Sequence, residues 1–239
     1  MASSTLLETY RELAGRIRDL PPTLGPCRLI AVDGPSGAGK SRFARRLAAA
    51  SDATAGPDPG GGSGPGGGAG PGGPAVPAEP GGRGGPAGGV PVVCTDDLLD
   101  GWDDQLTFWP RLQEWVLGPL RAGRPGRYRR YSWVRREFTP GWITVPAAPV
   151  VIVEGVSSAR AEIAPELALG VFVTAPAGLR LDRVLSRDGA ALAPYLENWR
   201  RGEDAHFAAD RTATRADLVV DGAPAVPHNP DTEYVRLVS

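Results

Sequence analysis

One short stretch near the start of the chain constrains its fold more than any other: Gly34-Pro35-Ser36-Gly37-Ala38-Gly39-Lys40-Ser41. It stands between an apolar run, Cys27-Arg28-Leu29-Ile30-Ala31-Val32-Asp33, and a segment from Arg42 to Ala50 rich in Ala and Arg. The run reads as a short strand and the segment as a helix, so a glycine-rich turn has to join them. Glycines at 34, 37 and 39 let the backbone curl until successive N–H groups point inward. The following helix adds its own unpaired N-terminal amides. Such a cradle suits phosphate. The Gly-x-x-x-x-Gly-Lys-Ser spacing adds Lys40 to reach the β and γ phosphates and the Ser41 hydroxyl to meet Mg²⁺. The expectation is a nucleoside triphosphate, ATP with Mg²⁺, held on Gly34, Pro35, Ser36, Gly37, Ala38, Gly39, Lys40 and Ser41.

The rest of the chain is read for what could surround that loop. At 239 residues and 41% apolar content it has the size and the apolar material of one α/β domain. Its 26 basic and 27 acidic side chains leave a net charge of −1, which provides no field for holding nucleic acid or a lipid surface. Cys27 and Cys94 have no metal-ligand spacing, and the N-terminus has no signal-like apolar run. Cytoplasm is the expected location, with no membrane and no nucleic acid among the expected partners, and the oligomeric state stays open.

Residues Leu6 to Leu20 carry apolar side chains at three- and four-residue spacings, predicting an amphipathic helix over about 5–20 that Pro21 and Pro22 end. From about 53 to 89 the composition is almost entirely Gly and Pro, predicting a disordered insertion inside a single domain spanning 1–239. A two-domain reading would leave the first piece with one strand and nothing to close a sheet. Short buried strands are expected at Val90–Cys94, Val150–Val153, Val171–Val173 and Leu218–Val220, the last of these being the final strand. Trp142–Val145 reads as a short strand or a hairpin arm. Helices are expected at Trp109–Leu120, at Leu179–Arg187 and at Ala193–Arg211, with a break near Gly202. Strands alternating with helices predict an α/β three-layer fold of the P-loop NTPase kind, with a mostly parallel sheet and helices on both faces.

In such a fold ligands gather beyond the carboxyl ends of the strands, where three acidic sites fall. Glu154 follows Val150-Val151-Ile152-Val153 directly and could reach Mg²⁺ or its water shell, or cap a helix. Asp96 follows the second strand, placed to accept a proton from a substrate hydroxyl; Asp97 is nearly as well placed, and a turn or cap is the plainer role for either. Asp33 either orients loop amides or ends its strand. Arginines at 121, 124, 127, 129, 130, 135 and 136 interleave with Tyr128, Tyr131 and Trp133, a pattern that suits a pocket for a flat ring or a small anion. Tyr128, Arg130 and Trp133, with Asp97, are the candidate acceptor-binding residues. Arg180, Arg183 and Arg187 fall on one helix face that could close over a triphosphate. His206 has no second ligand at metal spacing and reads as a hydrogen-bonded structural histidine, so a zinc site has no support.

With these residues in place the chain resembles the uridine kinase-like branch of the P-loop kinases, and within it an actinobacterial ATP-binding group. The resemblance rests on Gly34–Ser41, Thr95-Asp96-Asp97-Leu98-Leu99, Val153-Glu154-Gly155 and the pattern Arg180-Leu181-x-Arg183-x-x-x-Arg187-Asp188, between Arg28 and about Gly222. Leu98 and Leu99 stand where that family carries aromatics. The resemblance implies ATP-dependent phosphorylation of a hydroxyl on a small metabolite, a nucleoside being one candidate. It places the catalytic base on Asp96, assistance to Mg²⁺ on Glu154, and phosphate contacts on Lys40, Arg183 and Arg187. The alternative reading is a nucleotide hydrolase or switch working with a macromolecular partner, for which the guanine-reading Asn-Lys-x-Asp is absent from the sequence.

Overall fold

The computed structural model describes residues 4–54 and 89–238. The predicted insertion therefore lies almost wholly outside the described residues; its first positions, Ala53 and Thr54, close a helix.

The chain begins with a strand, β1 (Ser4–Thr9), followed by α1 (Tyr10–Asp19), and this corrects the single helix expected over 5–20. The cause is a capping box: the Thr9 hydroxyl accepts from the Glu12 amide at 3.2 Å while the Glu12 carboxylate accepts from the Thr9 amide at 3.1 Å. The cap starts the helix at Tyr10, and Tyr10, Leu13, Ala14 and Ile17 form its buried face. Leu6 and Leu7, which extended the helical spacing in the sequence, are each 49% exposed.

The glycine-rich loop joins β2 (Arg28–Asp33) to α2 (Lys40–Thr54). Then come β3 (Val92–Cys94), α3 (Trp109–Leu112), a π-helical turn over Gln113–Leu117 and α4 (Gly118–Arg121). The widened turn sits just before Pro119, whose nitrogen has no hydrogen to donate to the ladder. The hairpin β4 (Gly126–Ser132) and β5 (Glu137–Val145) makes its own two-stranded sheet. After it follow β6 (Val150–Glu154), β7 (Leu167–Thr174), α5 (Ala177–Asp188), α6 (Ala193–Asp210), α7 (Thr212–Arg215), β8 (Leu218–Asp221) and β9 (Glu233–Val238). Helix α6 runs unbroken through Gly202, where the Gln105 side chain packs so closely that a Cβ would collide with it. The final strand is β9, not the expected Leu218–Val220; its Tyr-Val-Arg-Leu alternation was the overlooked signal.

The main sheet has the order β1-β9-β8-β7-β2-β6-β3. Strands β8, β7, β2, β6 and β3 are mutually parallel, and β9 is antiparallel to both β8 and β1. Alternation along the strands splits the core between two faces. Ile30, Val32, Val150 and Ile152 pack with α1 and α2, through Ile17, Phe43 and Leu47. Leu29, Val93, Val151 and Val153 pack on the opposite side with Phe108, Leu112, Val116, Tyr128 and Trp199. Helices thus cover both faces of a mostly parallel sheet, as the sequence predicted, and the loop-bearing strand β2 lies between β6 and β7 inside it. Among the described residues no helix is long and apolar enough to cross a membrane.

Candidate active site

The backbone of the Gly34–Ser41 loop is shaped by close approach. Gly34, Gly37 and Gly39 have φ of 136°, 78° and 109°, a region that L side chains rarely enter. A Cβ on Gly34 would strike the Val173 carbonyl, and one on Gly37 the Arg180 carbonyl.

Asp33 resolves its two readings in favour of orienting amides. Fully buried, it accepts from the Gly34 amide at 2.7 Å and the Ser157 amide at 2.9 Å on one oxygen, and from the Ala159 amide at 2.9 Å on the other. The carboxylate therefore fastens the glycine-rich loop to the turn after β6. Burial raises its pKa to about 6, against the pull of those three amides and of Lys40 toward the ionised form.

Lys40 is buried, and its ammonium donates to the Pro35 carbonyl at 3.1 Å, so it lies folded across its own loop. Parallel pairing sets Glu154 beside Val32 on one side and Cys94 on the other, at the carboxyl edge of three adjacent strands. Burial pushes the Glu154 carboxyl up, while Lys40 and hydrogen bonds from the Cys94 thiol and the Ser41 hydroxyl favour its charge. Gly155, at φ 140°, lies so close to Thr95 that a side chain there would overlap it. Asp96 is exposed and lines the same groove as Lys40, Ser41, Glu154 and Arg187. Its charge is near enough to Cys94 to help raise that thiol well above its ordinary value, after burial and Glu154.

Mg²⁺ prefers oxygen ligands and keeps several waters. Ser41 and Glu154, which line one groove with Lys40, fit that preference. Among the described residues no group of three or more His, Cys, Asp or Glu could hold a metal. An ion here would take its remaining ligands from water and phosphate.

The three arginines of α5 separate in function. Arg183 donates to the Gly37 carbonyl at 3.2 Å and the Gly222 carbonyl at 3.1 Å, bracing the glycine-rich loop against the chain after β8. Arg180 donates to the Ala175 carbonyl at 3.1 Å and faces Glu203. Arg187 forms a two-pronged pair with Asp188 at 2.6 and 2.7 Å and is the most exposed of the three.

Of the residues expected to bind an acceptor, Asp97, Tyr128 and Arg130 come together, though none of them lines the groove that holds Lys40 and Asp96. The Tyr128 hydroxyl donates to Asp97 at 3.3 Å and the Arg130 guanidinium lies 3.3 Å from its other oxygen. Tyr128 is 1% exposed and belongs to the core, and burial raises the Asp97 pKa to about 6 against the pull of Arg130. Trp133 does not join this triad. It packs in an aromatic cluster with Trp102 at 5.1 Å and Tyr131 at 5.3 Å, and Trp102 also meets Tyr195 and Trp199. His206 packs beside Phe207, and its buried Nε2 has no hydrogen-bond partner, unlike the satisfied histidine expected.

Sequence reasoning missed Glu203. It is fully buried on α6 and accepts from the Ser36 amide at 2.9 Å, the Ser36 hydroxyl, and the Trp199 indole at 2.9 Å. The one local signal was the Trp199/Glu203 pair, one helical turn apart.

The fold and this edge of the sheet define a three-layer α/β protein of P-loop NTPase architecture. No protein-family model matches the chain, and no curated protein does. Among solved structures it is similar to one described as a possible uridine kinase from Bacillus stearothermophilus, with TM-score 0.53 and 15% identity over 88% of this chain and 96% of that one. It is also similar to the YGR205w protein, with TM-score 0.48 and 12% identity over 89% of this chain and 91% of that one. At such identities the likeness is one of fold.

Proposed function

We propose that the chain is an ATP-dependent small-molecule kinase that phosphorylates a hydroxyl group. The observation that carries this reading is the convergence of Lys40, Ser41, Asp96 and Glu154 on one groove at the carboxyl edge of β2, β3 and β6. In this reading the amides of Gly37 to Ser41 and the Lys40 ammonium hold the β and γ phosphates. Ser41 and Glu154 would hold Mg²⁺, which would supply positive charge to offset that of the phosphate oxygens. Asp96 is exposed to the groove and takes the proton of the acceptor hydroxyl as its oxygen bonds to the γ-phosphorus and the bond to ADP breaks. Arg187 contributes positive charge at the same mouth. Arg183 acts differently from the sequence expectation: committed to two loop carbonyls, it shapes the phosphate cradle. Asp97, Tyr128, Arg130 and Trp133 shape the acceptor side, with Asp97 held by the other two members of its triad.

The test is direct. Purified protein is incubated with Mg-ATP and a pool of nucleosides, vitamins and small sugars, and mass spectrometry seeks a product heavier by one phosphoryl group. A phosphorylated metabolite formed in proportion to ADP establishes the activity. ATP consumption yielding only free phosphate would overturn it.

A further inference from the structure

We infer that Glu203 is a positioning residue for the phosphate loop, fixing the Pro35–Ser36 shoulder from behind so that the amides beyond it face the nucleotide. The inference rests on the nucleotide-binding reading above and adds to it a residue from outside the loop, the metal pair and the arginine helix.

The geometry is specific. One oxygen of Glu203 gathers three donors: the Ser36 amide at 2.9 Å, the Ser36 hydroxyl, and the Trp199 indole at 2.9 Å; the indole also lies 3.1 Å from the Ser36 hydroxyl. The other oxygen is buried without a hydrogen bond, its nearest cation being Arg180 at 3.9 Å. Ser36 stands 167 positions from Glu203, so this contact holds α6 against the loop independently of the strand and helix that flank it.

A role in packing alone does not require a carboxylate here. Leaving a charged oxygen buried and unbonded costs stability, a cost that the three donors on the other oxygen offset. What an apolar side chain cannot supply is an acceptor for the Ser36 amide. Without it that peptide is free to turn, and the loop beyond loses a fixed starting direction. Helix α6 itself is held in place elsewhere: Trp199 packs at 5.4 Å against Trp102, and the Trp199 carbonyl accepts from Gln105 at 3.1 Å. The helix therefore keeps its seat when position 203 changes.

The test compares full-length wild type with Glu203→Met and Glu203→Gln. Calorimetric titration with a non-hydrolysable ATP analogue and Mg²⁺ is set beside the thermal midpoint of each protein. Glu203→Met leaves the Ser36 amide, the Ser36 hydroxyl and the Trp199 indole without this acceptor, so it should bind about tenfold more weakly and also lower the midpoint. Glu203→Gln, which keeps an acceptor for the amide, should stay within about threefold of wild type. Equal binding by Glu203→Met would overturn the inference, as would an equal loss of binding in Trp199→Phe, which removes the indole donor but leaves the Ser36 amide its acceptor. Absence of binding by wild type would instead overturn the nucleotide reading on which it rests.

Discussion

The two banks of the candidate site are built from different material. On the phosphate bank the functional groups are mostly main chain: the loop amides, set by glycines at positive φ and fastened by Asp33, Arg183 and Glu203. On the acceptor bank they are side chains, Asp97 held by Tyr128 and Arg130, with a separate cluster of indole and phenol rings. Main-chain amides bind any phosphate ester, because phosphate presents the same oxygens in every nucleotide. Side chains vary in size, charge and reach, so they can be selective where amides cannot. Under the proposed function, the contrast would have a common donor and a particular acceptor served by different parts of the fold.

The most severe way to break this division is to remove the group that bridges the two banks. Asp96→Asn should lower transfer by about 10²–10⁴-fold while ATP affinity, measured by titration, stays near that of wild type. A variant with full turnover would remove Asp96 from the role of base.

The next largest effect falls on the phosphate bank. Gly155→Ala puts a methyl group against Thr95 and forces φ 140° on a residue with a Cβ. It should cost about 1–3 kcal/mol in denaturant unfolding. Unchanged stability would show that this junction yields instead of clashing.

On the acceptor bank the expected losses are smaller. Tyr128→Phe removes one hydroxyl from Asp97 and should raise the acceptor KM by about tenfold, with ATP affinity unaltered. A change in ATP affinity of the same size would mean the banks are not separable.

The smallest effect is a dependence on pH. Asp97 has its pKa raised from 3.8 to about 6 in the folded chain. The folded state therefore binds more protons than the unfolded state between those values. Stability from this group is full below the unfolded value and is lost as pH rises through about 6. The slope should be on the order of 1 kcal/mol per unit or less, and Asp97→Asn should flatten it in unfolding curves measured across that window. An unaltered slope would assign the effect to Asp33, whose pKa is raised to the same value.

The sequence revealed most where cause and effect are neighbours. Gly34 to Ser41 announces strand, turn and helix within one stretch, and Asp96 and Glu154 follow apolar runs whose ends mark the rim of the sheet. Arg183 and Glu203 were opaque in their actual roles because their partners, Gly37 and Ser36, lie 146 and 167 positions away. Tyr128 was legible as part of an arginine-aromatic segment but not as a core residue, because nothing in that segment tells which ring turns inward. The Thr9 cap was hidden for the opposite reason: helical spacing in Leu6, Leu7 and Tyr10 ran straight across it, and only the pairing of β1 with β9 gave Ser4–Thr9 another use.

That pairing carries a consequence for how the molecule assembles. Ser4 stands opposite Val238 and Thr9 opposite Glu233, so the edge of the sheet is formed by the two ends of the described chain. Closing a loop of that length costs about 5 kcal/mol of chain entropy before any strand bond is made. The centre is hardly cheaper to close, because β2 and β6 pair across about half that span and each doubling of length adds only about 0.6 kcal/mol. Losing β1 would instead leave β9 as the rim of the sheet, with a row of unpaired amides and carbonyls open to a strand from another chain.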